Sequence, residues 1–338
     1  MNNDISCTII ATVYNEASNI RPFLLSLLNQ SLSPDEIIIV DGESNDGTNE
    51  ILQEFENAGH IVLISKSCNI SQGRNLAISH ATSDFIAATD AGCIVDEHWL
   101  REITKPFRSS ECPDVVSGNF EFDCQSSFEH VVVLATNNPQ RTHSEESKFF
   151  PSSRSIAFTK QIWDKVKGYP EWLYAAEDTL FNIRMRQLGA KFCFAERALV
   201  QWRPRNKWRS VGKQFFNYAR GNGRIGFAKQ GYITNFKYHA MIIAPLLAGL
   251  FSPWLALLAI YPSYTHIRHN LWPQARLAAK VNRAPLISLR VLLVMEFVRL
   301  AGMTGYIRGE LDRLLDPSFR QNQKQWMGVD SLDTKSGK

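Results

Sequence analysis

Over its first hundred residues the chain alternates short apolar runs with amphipathic stretches. Runs at about 5–13, 36–40, 61–65 and 84–88 are short, apolar and bounded by turn residues, the mark of buried strands. Between them, apolar positions recur at helical spacing near 18–30, 46–58 and 71–80. Ser18 and Asp46 are expected N-caps and Gly59 a C-terminal stop. Strand–helix–strand alternation predicts a parallel, doubly wound α/β sheet with right-handed crossovers. After a helix near 97–108 the pattern loosens. Val115-Val116 reads as a strand, 136–155 as a surface loop and 159–166 as a helix. A helix opening at Glu177-Asp178 and closed by Gly189 follows, and a last strand at 191–194 ends this region.

Two of the strands end in acids. The run Glu36-Ile-Ile-Ile-Val40 leads into Asp41, and Asp84-Phe-Ile-Ala-Ala88 leads into Thr89-Asp90-Ala-Gly92. The carboxyl edge of a parallel sheet is where open α/β folds bind ligands. Carboxylates at neighbouring strand ends suit the ribose and base of a nucleotide, and a hard metal ion on its diphosphate.

The C-terminal third changes character. His239 to Tyr261 is a stretch of 23 residues without a formal charge, long enough to cross a bilayer once as a helix. Pro245 and Pro253 interrupt it, which leaves a hairpin or re-entrant segment as the alternative. Pro285 to Tyr306 is apolar but carries Arg290, Glu296 and Arg299, so it reads as a helix lying in the membrane interface. The ordinary alternative for both is a pair of core helices in a helical domain.

Charge sharpens this division. Residues 1–196 hold 15 Lys+Arg against 27 Asp+Glu, whereas residues 197–338 hold 22 against 6. From Arg197 to Met295 there is no acidic residue. A basic, Trp-containing stretch running into apolar segments is the balance expected beside an anionic membrane surface. It leads into no nucleic-acid motif, so no nucleic-acid partner is expected. Six cysteines show neither a CxxC pair nor zinc spacing, and are read as reduced thiols. Met1-Asn-Asn-Asp runs straight into the first strand, and no signal peptide is expected.

Five motifs in order resemble those of family 2 glycosyltransferases. They are Ala11-Thr-Val-Tyr-Asn-Glu16, Val40-Asp-Gly-Glu-Ser-Asn-Asp-Gly-Thr48, Gly73-Arg-Asn75, Thr89-Asp-Ala-Gly92 in the place of Asp-x-Asp, and Ala176-Glu-Asp178. The resemblance covers roughly residues 1–195. It implies a GT-A fold: Rossmann-like, a mostly parallel sheet with flanking helices, here followed by a C-terminal helical membrane-associated segment. The expected division is a nucleotide-sugar-binding and catalytic domain over 1–200, a basic linker over 201–235, hydrophobic membrane-associated helices over 236–310 and a polar tail over 311–338.

The resemblance also assigns roles. Asp178 would be the general base of an inverting displacement, and Glu177 would orient the loop or touch the acceptor. Thr12, Asn15 and Glu16 would lie at the nucleotide, with Tyr14 packed on the base or simply buried. Asp41 would accept a hydrogen bond from base or ribose, while the Arg74 fork suits diphosphate oxygens unless it is a surface arginine. Asn75 would fix the turn or contact the nucleotide. Asp90 would hold Mg²⁺ or Mn²⁺, although Gly92 stands where the family usually supplies a second carboxylate. Arg203 and Arg205, with Lys207, Arg209, Lys213 and Arg220, would grip a donor diphosphate, a lipid pyrophosphate or anionic headgroups.

The stretch Gln201–Gly221 resembles members that build exopolysaccharide on a lipid carrier. No Gln-x-x-Arg-Trp motif is present, which argues against a processive synthase. The expected activity is transfer of one sugar from a nucleotide-diphosphate donor, UDP-sugars before GDP-sugars, to a lipid-linked saccharide at the cytoplasmic face of the cell membrane. A nucleotidyltransferase shares the sheet type, but no glycine-rich phosphate loop follows Ile5–Val13. A catalytically degenerate membrane-bound scaffold is the non-enzymatic alternative, and Gly92 is its support.

Overall fold

The computed structural model describes residues 5–137 and 151–328. These form two compact units, one of residues 5–123 and 151–203 and one of 124–137 and 204–328. The division departs from a cut at residue 200, because 124–137 joins the second unit. Most of the loop expected at 136–155 lies outside the described residues.

In chain order, the first unit begins with β1 (Cys7–Val13), α1 (Ile20–Leu28), β2 (Glu36–Asp41), α2 (Thr48–Asn57) and β3 (Val62–Ser65). It continues with α3 (Ile70–His80), β4 (Phe85–Ala88), β5 (Cys93–Val95), α4 (Trp99–Thr104) and β6 (Val115–Phe122). Helix α5 (Ser127–Thr136) belongs to the second unit. The chain then returns to the first unit for β7 (Ile156–Thr159), α6 (Lys160–Val166), α7 (Glu177–Gln187) and β8 (Phe192–Trp202).

The eight strands form one sheet in the order β3-β2-β1-β4-β7-β6-β8-β5. The first four strands are parallel, as the alternating pattern predicts. The other half is mixed: β7 runs antiparallel to both β4 and β6, β6 and β8 are parallel, and β5 closes the edge antiparallel to β8. The sheet is therefore a mixed one rather than mostly parallel throughout. Ile9, Ile39, Phe23, Leu24, Leu27, Trp99 and Leu100, all fully buried, anchor the core of this unit.

Helix starts differ from expectation by one residue. The N-cap of α1 is Asn19 rather than Ser18, and Gly47, at φ 94, caps α2 in place of Asp46. Asp46 still serves the helix start, since its Oδ1 accepts from the Thr48 N–H at 3.1 Å. Gly59 closes α2 as expected, with φ 75.

The second unit adds α8 (Trp208–Ile225), α9 (Lys229–Ala248), a 3-10 turn (Pro253–Ala259), α10 (Ile260–His266), α11 (Trp272–Val281), α12 (Ile287–Leu315) and α13 (Ser318–Met327). Val131, Val211, Ala275, Val291 and Val294 form its core. Helices α8 and α12 lie so close that a Cβ on Gly309 would sit 2.1 Å from the Arg220 carbonyl oxygen. One on Gly305 would sit 2.2 Å from that of Phe216. Only glycine permits backbones at this distance.

The apolar run 239–261 is not one helix. It ends α9 at Ala248, turns through 249–252 and continues as the 3-10 segment, so that a Cβ on Gly249 would meet the Ala256 Cβ at 2.8 Å. Pro253 removes the backbone donor and forces the break. Among the described residues no helix is long and apolar enough to cross a membrane. What the hairpin does present is an apolar surface, with Leu250 81 % and Phe251 92 % exposed, and Trp254, Leu258, Ile260 and Tyr261 exposed beside them.

Candidate active site

Parallel pairing sets the ends of β1, β2 and β4 on one edge of the sheet. Val13 pairs with Asp41 and Ile10 with Ala88, so the residues after these strands share that edge. Thr12 is half-buried at the penultimate position of β1. Tyr14 is 60 % exposed just beyond it, which rules out a buried core aromatic and leaves its ring open to stack on a planar ligand.

Asn15 and Glu16 sew this loop to the one after β2. The Asn15 N–H donates to Ser44 Oγ at 2.9 Å, and Asn15 Oδ1 accepts from the Asn45 N–H at 2.9 Å. The Glu16 N–H donates to Thr48 Oγ1 at 2.8 Å. Asn15 adopts φ 55, a left-handed conformation that asparagine tolerates better than most residues. Asp41 is fully buried and accepts from the Ser44 hydroxyl at 2.5 Å, the Ser44 N–H and the Asn49 amide at 3.0 Å. Ser44 and Asn49 are thus part of the site, and although Ser44 stood in the second motif, its bond to Asp41 was not foreseen.

The chemical centre is Arg74. It is 3 % exposed, so it is no surface arginine. One branch of its guanidinium donates to Glu177 Oε1 and the other to Asp90 Oδ1, each at 2.9 Å. Its carbon lies 5.3 Å from the centre of the Tyr169 ring, which itself stacks on Phe181 at 4.0 Å. Burial works against its charge, but Asp90 and Glu177 outweigh that and keep it protonated. The fork thus ties the end of β4 to the start of α7. Tyr169 is a residue that the motifs did not pick out; its only sequence signal was its place next to Gly168.

Asn75 fixes a turn. Its side-chain oxygen accepts from the Tyr169 N–H at 2.7 Å and the Trp163 indole at 3.0 Å, while its amide donates to the Tyr169 carbonyl and to Glu171. Gly168, at φ 72, is required here: a Cβ would lie 2.7 Å from the Asn75 oxygen.

Glu177 and Asp178 open α7, after Ala176 in the left-handed region at φ 66. Glu177 is buried, and its carboxyl is pushed up to about 7, first by burial, then by Asp178 beside it, with Arg74 opposing both. Asp178 is half-exposed, with Oδ1 accepting from the Thr179 N–H at 2.7 Å. An acid in a helix first turn is favoured by the aligned peptide dipoles. Asp90 keeps one oxygen for Arg74, and its side chain is 35 % exposed. Gly92 is exposed, and a Cβ there meets nothing within 4 Å. Mg²⁺ and Mn²⁺ bind through one or two carboxylates plus phosphate oxygens and waters, and Asp90 fits that role with a single carboxylate. Arg203 is exposed at the end of the first unit, and Arg205 is exposed in the second.

Residues 8–165 match the family model for glycosyl transferase family 2. A putative teichuronic acid biosynthesis glycosyltransferase of Bacillus subtilis is 26 % identical over 245 residues, covering 66 % of this chain and 90 % of its own length. The succinoglycan biosynthesis protein ExoA of Rhizobium meliloti is 24 % identical over 324 residues, covering 91 % and 96 %. Among solved structures, the mannosyltransferase PcManGT of Pyrobaculum calidifontis, in complex with GDP-Man and Mn²⁺, superposes with a TM-score of 0.58. It is 17 % identical and covers 90 % of this chain and 88 % of its own, a likeness of fold. Sheet, motifs and matched model define a GT-A glycosyltransferase. The chain carries a family 2 domain, and the protein is a glycosyltransferase enzyme.

Proposed function

We propose that the protein transfers a single sugar, with inversion, from a nucleotide-diphosphate donor to a hydroxyl of a lipid-linked saccharide during synthesis of a cell-surface polysaccharide or glycolipid. The observation that carries this is the Arg74 bridge, which sets Asp90 and the Glu177-Asp178 pair around one cation at the ligand-binding edge of the sheet. In the reaction the acceptor oxygen attacks the anomeric carbon as its proton passes to the Asp178 carboxylate. The bond from that carbon to the diphosphate oxygen breaks, and its electron pair leaves with the nucleoside diphosphate. Glu177, held by Arg74, positions the start of α7 so that Asp178 faces the acceptor. Tyr14 stacks on the base, and the loop ordered by Asp41 and Asn15 receives the ribose. Asp90 would hold a divalent ion, which would supply charge neutralisation at the donor diphosphate.

UDP-sugars come first as donors and GDP-sugars next. The names of the relatives, which concern teichuronic acid and succinoglycan, support the polysaccharide assignment. The exposed apolar hairpin 249–261 and the acid-free stretch 197–295 support docking on an anionic membrane at its cytoplasmic face, with Arg203 and Arg205 toward phosphates.

The test is a screen of UDP- and GDP-sugars for turnover by the full chain in detergent, with and without Mn²⁺. One donor should be consumed. Asp178→Asn should lower kcat by roughly 10²–10⁴-fold, the range of a general base, with donor binding intact. An undiminished kcat in that variant removes Asp178 from the mechanism. Sedimentation with anionic and with neutral vesicles tests the membrane assignment separately.

A further inference from the structure

In the second unit, three helices converge side chains for which glycosyl transfer has no use. His239 lies on α9, His266 ends α10 and Glu296 lies in α12. Both imidazoles are buried and the carboxylate is half-buried. Glu296 Oε1 is 2.5 Å from His239 Nε2, and Oε2 is 3.1 Å from His266 Nε2. One candidate donor atom from each residue lies within 4.8 Å of the others.

The hydrogen bonds behind the rings restrict what can sit between them. His239 Nδ1 is 2.8 Å from the Asn235 carbonyl oxygen. A carbonyl only accepts, so Nδ1 carries the proton, and in the neutral ring Nε2 is left with a bare lone pair. That lone pair points at a carboxylate oxygen 2.5 Å away, a repulsive pairing unless a positive charge lies between them. His266 Nδ1 faces the Asn270 amide at 3.3 Å. The amide nitrogen donates to that Nδ1, so the His266 proton sits on Nε2 toward Glu296, and an ion bound there takes the place of that proton. Arg299, one turn beyond Glu296, donates to the Asn270 carbonyl at 2.7 Å and to Asn235 Oδ1 at 3.4 Å, so it steadies the two residues that address the rings. An imidazole fixed by a carbonyl on its far nitrogen is the usual second layer of a metal site.

We propose that His239, His266 and Glu296 bind a divalent transition-metal ion of the zinc type, with water completing the coordination. Two imidazoles and one carboxylate suit such an ion, whereas Mg²⁺ and Ca²⁺ prefer oxygen alone. Tetrahedral bonds of about 2.0–2.1 Å place donor atoms about 3.3 Å apart, a spacing that small side-chain rotations reach from the present arrangement. The ion staples α9 and α10, and with them the apolar hairpin, to α12. The rival occupant is a proton, which would make His239 an imidazolium in a metal-free ion triad.

The experiment strips the full-length protein with a chelator, adds Zn²⁺, removes the excess by gel filtration and weighs the bound metal by mass spectrometry. Wild type and Asp90→Asn should each retain one equivalent and melt at a higher temperature with it. His239→Ala and Glu296→Gln should retain none and show no shift. Co²⁺ added to stripped wild type should give the intense visible absorption of a four-coordinate site, a readout that stands even where a variant fails to fold. No stoichiometric uptake by wild type and no Co²⁺ band would overturn the proposal and leave the proton triad. Uptake kept by both histidine and glutamate variants but lost in Asp90→Asn would overturn it equally, by moving the ion to the catalytic edge.

Discussion

Each unit buries a carboxylate–arginine cluster, with opposite stoichiometry. In the first, one arginine, Arg74, faces Asp90 and Glu177 at 2.9 Å each, with Asp178 close by. In the second, one carboxylate, Asp312, faces Arg220 at 2.7 Å, Arg224 at 2.8 Å and Arg308 at 3.1 Å. Burial first, and the neighbouring Asp178 second, lift the Glu177 carboxyl toward neutrality against the pull of Arg74. At Asp312 burial works upward, but hydrogen bonds from Arg220 and Arg224 and their charges hold it below the usual carboxylate range. The first cluster is under-neutralised, as a place that receives cations or protons must be. The second is over-neutralised and ties the helix-packing seam of α8 and α12 together.

Removing Arg74 should break the contrast hardest. Arg74→Ala leaves buried acids without a counter-charge, at a cost of roughly 3–5 kcal/mol. Thermal melting should fall accordingly and transfer activity should be lost. Arg74→Lys should recover little, because a point charge does not reach two carboxylates as a fork does. A melting point unmoved by Arg74→Ala would contradict the bridging role. Asp312→Asn comes next, at about 3 kcal/mol in denaturant unfolding, since three cations then lose their shared partner. A loss no larger than that of an exposed pair would mean that the seam holds by packing alone.

The pH dependence should separate the clusters by sign. The folded Glu177 carboxyl keeps its proton to about 7, while the ordinary value is 4.5. Between those values the folded state binds more protons, so stability from this group falls as pH rises. Asp312 behaves in the opposite sense: its contribution is full above the ordinary carboxylate range and is lost as pH drops through its lowered folded value. Glu177→Gln should flatten the slope between about 4.5 and 7, and Asp312→Asn the slope on the acid side. A slope unchanged in Glu177→Gln would place that titration elsewhere. The smallest effect is expected for Gly92→Asp, which supplies a second carboxylate in open space and should lower the Mn²⁺ concentration for half-maximal activity on the order of tenfold. An unchanged or higher requirement would show that Asp90 does not direct an ion there.

The parallel half of the sheet was legible because each of its strands is a contiguous apolar run, and periodicity placed β1, β2, β3 and β4 within two residues. In the mixed half, β6 and β8 were read only in part, at 115–116 and 191–194, and β5 and β7 were missed. Strand β5 has only three residues, and β7 runs directly into a helical pattern and pairs between strands far from it in sequence. Site residues carried by motifs were readable as types and positions. Their contacts were not, because Arg74 meets Glu177 across 103 residues and Asn75 meets Tyr169 across 94. The break in 239–261 was signalled by Pro253, but the fold-back that brings Gly249 onto Ala256 is a tertiary contact that composition does not record. His239, His266 and Glu296 likewise share no motif spacing.

The unobstructed space at Gly92 bears on how such a site evolves. A glycine codon ending in a pyrimidine becomes an aspartate codon by one base change, and here the new side chain would displace nothing. The second metal-binding acid is thus a single mutational step away, unopposed by packing. An aspartate there would stand two residues after Asp90, whose Oδ1 Arg74 already holds, and would meet no steric barrier. Glycine at this position therefore leaves Asp90 as the one carboxylate of its motif while keeping a second within reach of a single substitution.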